Sequence, residues 1–302
     1  MINEFFTENG FKHPFKKDNI TLSFIFSYSD LASINIFNNF RKVLNLNRPS
    51  SNNFTNNNQK NLNFDVFHTK YNDKDLIFYG FDNELVNLND LDLKGDAFIF
   101  LSRHSSSSKK PCLTVHTTGN FSEAQFGGYD NKISEPAPFL HKSLISSLNK
   151  LSKDSEEVVL EATHHGPYIE KPHVFIEIGS DKKRWENKEL SKTICDSIFN
   201  TLKNINLPKY YGIGIGGSHY AREFTKISIE TPISIPIIIP KYALKHIDEK
   251  MIKDLSKYSK NFILDWKGLS SHKDKIISLI DKNNFNYFRN DKIKKYFRNI
   301  KS

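Results

Sequence analysis

Between Glu161 and Ser180 the chain reads EATHHGPYIEKPHVFIEIGS, and this stretch restricts the fold more than any other. Two short apolar runs, Val158-Val159-Leu160 and Val174-Phe175-Ile176, each end in a carboxylate, Glu161 and Glu177, with His164-His165 between them. Runs of that length read as buried strands. Ionisable groups at the edge of a core need partners, because an unpaired buried charge is costly. If the two runs lie parallel in one sheet, both carboxylates and the histidine pair collect at the carboxyl ends of the strands, where open α/β sheets hold ligands. The plainer alternative is a solvated Glu at each strand end and hydrogen-bonded structural histidines.

Other segments alternate between strand and helix patterns. Leu22–Ser27 reads as a strand, and Asp30 can cap a helix with apolar positions Ile34, Ile36, Phe37, Phe40 and Leu44. Residues 47–61 are rich in Asn and Ser and read as a surface insertion. Phe64–His68 and Leu76–Tyr79 read as short strands. Ala97–Leu101 is a continuous apolar run that ends at Arg103 and His104. In CLTVHTTGNF, Leu113, Val115 and Thr117 face one side while Thr114, His116 and Thr118 face the other. Gly119, Gly127 and Gly128 punctuate a loop long enough to be a lid, and Phe139–Leu151 has helical spacing. Asp181–Leu202 reads as one amphipathic helix capped by Ser180 or Asp181.

The glycine-rich YGIGIGGSHY (211–220) permits close backbone approach, yet it leads into no convincing helix and does not fit a dinucleotide fingerprint. Apolar runs at Ile227–Glu230 and Ile235–Ile239 precede a helix over about 242–258, a strand at Phe262–Leu264 and a helix over about 272–280. The expected fold is α/β: a single large three-layer domain with a mixed, largely parallel sheet. It spans residues 1–270, followed by a basic C-terminal helix and tail at 271–302 whose interleaved bases and aromatics suit RNA and equally fit a frayed amphipathic helix.

Composition narrows the function. The chain has 302 residues and a net charge of +9, which favours an anionic partner such as RNA, although the abundance of Lys, Asn, Ile and Phe also fits AT-rich coding sequence. The N-terminus carries acids where a signal peptide carries bases, and no long apolar run exists, so a soluble, unexported protein is expected. Cys112 and Cys195 read as buried thiols in a reducing compartment. His104, His116, Glu161, His164, His165, Glu177 and His219 are residue types that activate water, through a metal such as zinc or through a His acting as general base. Neither HExxH nor GxSxG occurs.

The stretches SYSDLASINI, FLSRHSSSSKKPCLTVHTTGNF, EATHHGPYIEKPHVFIEIGSDKKRW, YGIGIGGSHYA, IIPKYAL and LDWKGL resemble, in order, the motifs of the archaeal and plant D-aminoacyl-tRNA deacylases. The resemblance runs from about residue 27 to about 269. It implies a cytoplasmic, generally monomeric, zinc-dependent hydrolase that splits D-aminoacyl-tRNA into tRNA and D-amino acid, with a fold similar to peptidyl-tRNA hydrolases and nucleoside phosphorylases. Carried over by motif, His164, His165, Glu161, His116 and Thr118 are the implied catalytic group, and Arg103, His104, Gly216 and Gly217 contact substrate. His164, His165, Glu177 and His219 are the implied metal ligands, overlapping the catalytic group. Family members tend to have Gly-His where this chain has Pro236-Ile237. Two other classes use parts of the same pattern: a zinc amidohydrolase or peptidase on small substrates, and a non-catalytic RNA-binding protein.

Overall fold

The computed structural model describes residues 20–47, 49–55, 61–106, 109–205 and 208–301. Its strands form two sheets. The larger contains β1 (Thr21–Ser27), β2 (Ser50–Thr55), β3 (Asn61–Tyr71), β4 (Lys74–Phe81), β5 (Ala97–Ser105), β6 (Cys112–His116), β7 (Glu157–Leu160) and β8 (His173–Ser180). Their spatial order is β2-β3-β4-β1-β5-β8-β6-β7. The smaller sheet contains β9 (Tyr210–Ile215), β10 (Ile233–Ile239), β11 (Asn261–Leu264) and β12 (Asn286–Arg289), ordered β10-β9-β11-β12. Among the strands of the described residues, β2/β3, β3/β4 and β6/β8 pair antiparallel and the other strand pairs are parallel, as a mixed, largely parallel α/β fold requires.

The helices are α1 (Leu31–Leu44), α2 (Pro138–Leu151), α3 (Lys182–Trp185), α4 (Lys188–Lys203), α5 (Arg222–Glu230), α6 (Glu249–Leu255), α7 (Lys273–Lys282) and α8 (Asn290–Lys301). Asp30 opens α1 by accepting from the amides of Ala32 and Ser33, and the buried face carries Ile36, Phe37 and Phe40. Phe37 stacks on Phe26 with ring centroids 3.9 Å apart, which fastens the helix to β1. The single helix expected over 181–202 is two, because Asp181 caps α3 while the Asn187 side chain accepts from the Glu189 and Leu190 amides and starts α4. Helix α2 packs against α4, β6 and β10, so one element spans both sheets. None of these helices is long and apolar enough to cross a membrane.

Three expectations need correction. Residues 47–61 are not only a surface insertion, because Ser50–Thr55 pairs antiparallel with β3 as the edge strand; 48 and 56–60 lie outside the described residues. The boundary at residue 270 falls inside a packed unit. Beyond it, β12 pairs with β11, Ile276 and Ile280 of α7 are fully buried, and Ile293 and Phe297 anchor α8, which lies on α5. Ile227–Glu230 is the last turn of α5, a short helix whose buried positions Phe224, Thr225, Ile227 and Ser228 have helical spacing but include few strong helix formers.

Candidate active site

The runs before Glu161 and Glu177 do lie in one sheet, but they are not parallel. Strand β6 stands between them, parallel to β7 and antiparallel to β8. The α2 crossover makes β6 and β7 parallel, and the helix-free return after Glu161 brings β8 back in the opposite sense. Glu177 is therefore mid-strand, opposite Thr114 of β6 and Ser102 of β5.

Strict alternation then sorts the side chains. Leu113, Val115, Val174, Ile176 and Ile178 join the core beneath α2 and α4, while Thr114, His116, Glu177 and, on β5, His104 share the other face. Gly179 lies between His104 and Cys112 in the register, and a Cβ there would come within 2.3 Å of Cys112 Sγ and 3.0 Å of the His104 ring. Only glycine lets the two strands carry those side chains so close together.

The second sheet closes the site. The Ala162 amide donates to the carbonyl of His219, and Glu161 bridges to Tyr220, so the segment after β9 lies along the chain that leaves β7. Glu161 Oε1 is 3.1 Å from His104 Nδ1, and its Oε2 is 3.2 Å from His219 Nε2 and 3.6 Å from His164 Nε2. Glu177 Oε2 is 3.5 Å from His116 Nε2 and 3.7 Å from His104 Nδ1. His165 adopts φ 44, a left-handed turn that bulky residues rarely take, and this brings both members of the pair onto His116, at ring separations of 4.5 Å for His164 and 5.0 Å for His165. Glu161, Glu177, His104 and His116 are buried; His164, His165 and His219 are partly open to solvent.

Charge divides the histidines into two kinds. Burial opposes protonation of His104 and His116, but the carboxylates of Glu161 and Glu177 prevail and raise both above the ordinary imidazole value. Burial would likewise raise Glu161, but His104 and His219 hold it well below the carboxylate range. Burial and the neighbouring imidazoles push His164 well down and bring His165 to about 4. Nδ1 of His164 donates to the Ala162 carbonyl at 2.8 Å and Nδ1 of His165 to that of Gly166, so each neutral ring keeps its lone pair on Nε2.

These rings fit a zinc ion. His116 Nε2 and both carboxylate oxygens of Glu161 are buried without a well-formed hydrogen bond, and the lone pair of His164 faces a carboxylate oxygen, an arrangement that a cation relieves. Two ligands of a tetrahedral zinc stand about 3.3 Å apart, and the His–Glu contacts run from 3.1 to 3.7 Å. Among the described residues, three trios have donor atoms within 4.8 Å of one another: His116-His164-His165, His104-Glu161-His219 and His116-Glu161-Glu177. The four ligands implied by motif, His164, His165, Glu177 and His219, are thus distributed over three overlapping sets.

Other implied residues are placed differently. The Thr118 hydroxyl is taken up by the Pro167 carbonyl at 2.6 Å, Ser134 and His173. Arg103 lies over Trp185 and near Glu84, on the opposite side of β5 from His104. The Gly216 amide, a candidate oxyanion donor, is bonded to the Ile239 carbonyl. The loop expected to be a lid is tied to the histidine turn, because Gly166 donates to the Phe126 carbonyl and Gly119 to that of His165. Tyr220 was not singled out, yet its hydroxyl is 2.9 Å from His104 Nε2; its position directly after His219 in GGSHY was the available signal.

A family model described as D-aminoacyl-tRNA deacylase matches residues 91–288. The chain is 39% identical over 189 residues to the D-aminoacyl-tRNA deacylase of Picrophilus torridus, covering 61% of this chain and 72% of that one. It is 34% identical over 222 residues to the enzyme of that name from Pyrococcus furiosus, covering 70% and 82%. The crystal structure of a conserved protein of unknown function superposes with a TM-score of 0.79 at 24% identity, over 92% of this chain and 97% of that one, so the fold has been seen before. The matched span contains β5, β6, β7 and β8 with every His and Glu of the cluster, and on that match this chain belongs to the D-aminoacyl-tRNA deacylase family.

Proposed function

We propose that this protein hydrolyses the ester between a D-amino acid and the terminal adenosine of tRNA, releasing both, and that it does so as a cytoplasmic monomer. The observation that supports this reading best is the cluster itself. Two carboxylates and five imidazoles meet where the two sheets touch, inside the span that matches the family. A binding protein has no evident need of Glu161 and Glu177 buried among histidines, whereas catalytic sites gather such strongly shifted groups.

His116, His164 and His165 are the set we assign to zinc, because two of them present Nε2 lone pairs and the third has an orphaned Nε2. When bound, zinc supplies Lewis acidity toward water and the ester carbonyl. The chain's own groups supply the rest. Glu161, ionised, faces His104 Nδ1 at 3.1 Å and His219 Nε2 at 3.2 Å, and the latter contact leaves Nδ1 of His219 as the proton-accepting atom of a ring that is partly open to solvent. His219 is thus placed to take the proton from the attacking water, with Glu161 as its orienting partner. Tyr220 holds the other side of His104 and fixes that ring against both carboxylates.

Incubation with D- and L-tyrosyl-tRNA tests the reading. Ester loss with the D form and little with the L form is expected; equal rates, or none, would contradict it.

A further inference from the structure

The smaller sheet is wholly parallel, so the segments that follow its strands gather along one edge. After β9 come Gly216, Gly217 and His219; after β10 come Lys241 and Tyr242; after β11 come Trp266, Lys267 and Gly268. These three segments touch. Lys241 donates its amide to the Gly217 carbonyl at 2.9 Å, and a Cβ on Gly268 would come within 2.3 Å of the Gly217 nitrogen. His219 belongs to the cluster around Glu161, so this edge is continuous with the hydrolytic centre.

Tyr242 is 57% exposed, a large aromatic ring left open beside a buried catalytic cluster. Trp266 cannot serve the same purpose, because Lys273 and Arg289 lie over its ring, each 4.4 Å from the centroid. It holds two cations in place instead. Lys241, Lys267 and Lys273 have no acidic partner among the described residues. Phe126 is more exposed still, but its loop carries Glu123 and Asp130, which repel a phosphate backbone.

From this juxtaposition we propose that the carboxyl edge of the smaller sheet binds the unpaired 3′ end of the tRNA, with a terminal base stacked on Tyr242 and backbone phosphates on Lys241, Lys267 and Lys273. The ester at the 3′ terminus has to reach Glu161 and His219, so the nucleotides just before it must cross this edge. Unpaired nucleotides are held by aromatic stacking and basic contacts in combination. The inference rests on the deacylase reading for its choice of RNA, and its test is separable from that reading.

The test is binding of uncharged tRNA, intact or trimmed of its unpaired 3′ nucleotides, alongside hydrolysis of D-tyrosyl-tRNA. The wild-type protein should bind the intact RNA about tenfold or more tighter than the trimmed one. Tyr242→Ala should erase that difference and raise KM for D-tyrosyl-tRNA with kcat less affected, while Tyr242→Phe, which keeps the ring, should restore both. Changing Lys241, Lys267 and Lys273 together to Gln should flatten the salt dependence, by roughly 0.7 in the log–log slope for each lost single-strand contact. Unchanged melting temperatures establish that the variants are folded. Equal affinity of the wild-type protein for both RNAs, or a Tyr242→Ala variant indistinguishable from wild type, would overturn the proposal. End-dependent binding without hydrolysis of either isomer would leave this site standing and remove the deacylase reading; hydrolysis without end-dependent binding would do the reverse.

Discussion

Glu161 Oε2 lies 3.2 Å from Nε2 of His219, and the two residues come from different sheets. Glu161 leaves the larger sheet at the end of β7, whereas His219 follows β9 of the smaller one. The cluster is complete only when the sheets are docked, so on the proposed mechanism contacts that hold them together support activity as well as stability.

His164→Ala and His165→Ala should each reduce kcat/KM by about a hundredfold or more, the scale of a lost ligand or acid–base group. Melting temperature of the metal-free protein should change little, because both side chains are partly open to solvent. Near-normal activity per folded molecule together with a large drop in melting temperature would mark them as scaffold.

Zinc should raise the melting temperature of metal-free protein through binding to the folded state. His116→Ala should abolish the rise, and elemental analysis of that variant should find the metal lost. An equal rise in His116→Ala would exclude the His116-His164-His165 set.

The pH dependence of stability follows from the buried imidazoles. His173 donates from Nδ1 to the Glu135 carbonyl and accepts at Nε2 from Thr118, and burial brings it to about 3, against about 6.5 in an unfolded chain. A depressed folded value means that the unfolded chain binds the extra proton, so this contribution is complete above pH 6.5 and is lost as the pH falls toward 3. His141, His164 and His165 are also lowered and act in the same direction. His104 and His116 are raised, so their contribution is present below 6.5 and is lost as pH rises through their folded values. The melting temperature should therefore fall on acidification from 6.5 to 5, and His173→Asn, though less stable overall, should show a shallower fall. Identical slopes would contradict this assignment.

Gly179→Ala should destabilise by roughly 1–3 kcal/mol, since the added methyl would lie 2.3 Å from Cys112 Sγ. Because the same methyl meets His104 at 3.0 Å, activity should fall beyond what the lost stability explains. Thermal unfolding and kcat/KM of the folded variant together measure both effects.

Much of this was legible in the residues. The two-residue alternation in CLTVH separates the core face from the face that carries His116, and the strand obeys it. Asp30 was readable as a cap because its side chain sits where the first free amides of α1 need an acceptor. Strand order was not legible: nothing local to β7 or β8 shows that β6 comes between them, because pairing partners are fixed by distant residues. Helix α5 was missed for a different reason. Its nine residues carry Thr225, Ile227 and Ile229, whose β-branched chains read as strand, and packing against α8, β7 and β10 decides the outcome. Which of His164, His165, Glu177 and His219 share one set of donors was not legible, because spacing places residues along a strand but does not say which neighbours face which carboxylate.

On the proposed mechanism, the buried carboxylate between the two sheets organises ester hydrolysis. The most direct test of this is the single-turnover rate of D-tyrosyl-tRNA hydrolysis by Glu161→Gln, compared with wild type at saturating enzyme and at a temperature where both are folded. Glutamine keeps the size of the side chain but removes the charge that supports His104 and aligns His219. A rate reduced about a hundredfold or more is predicted; a rate within a few-fold of wild type would contradict the account.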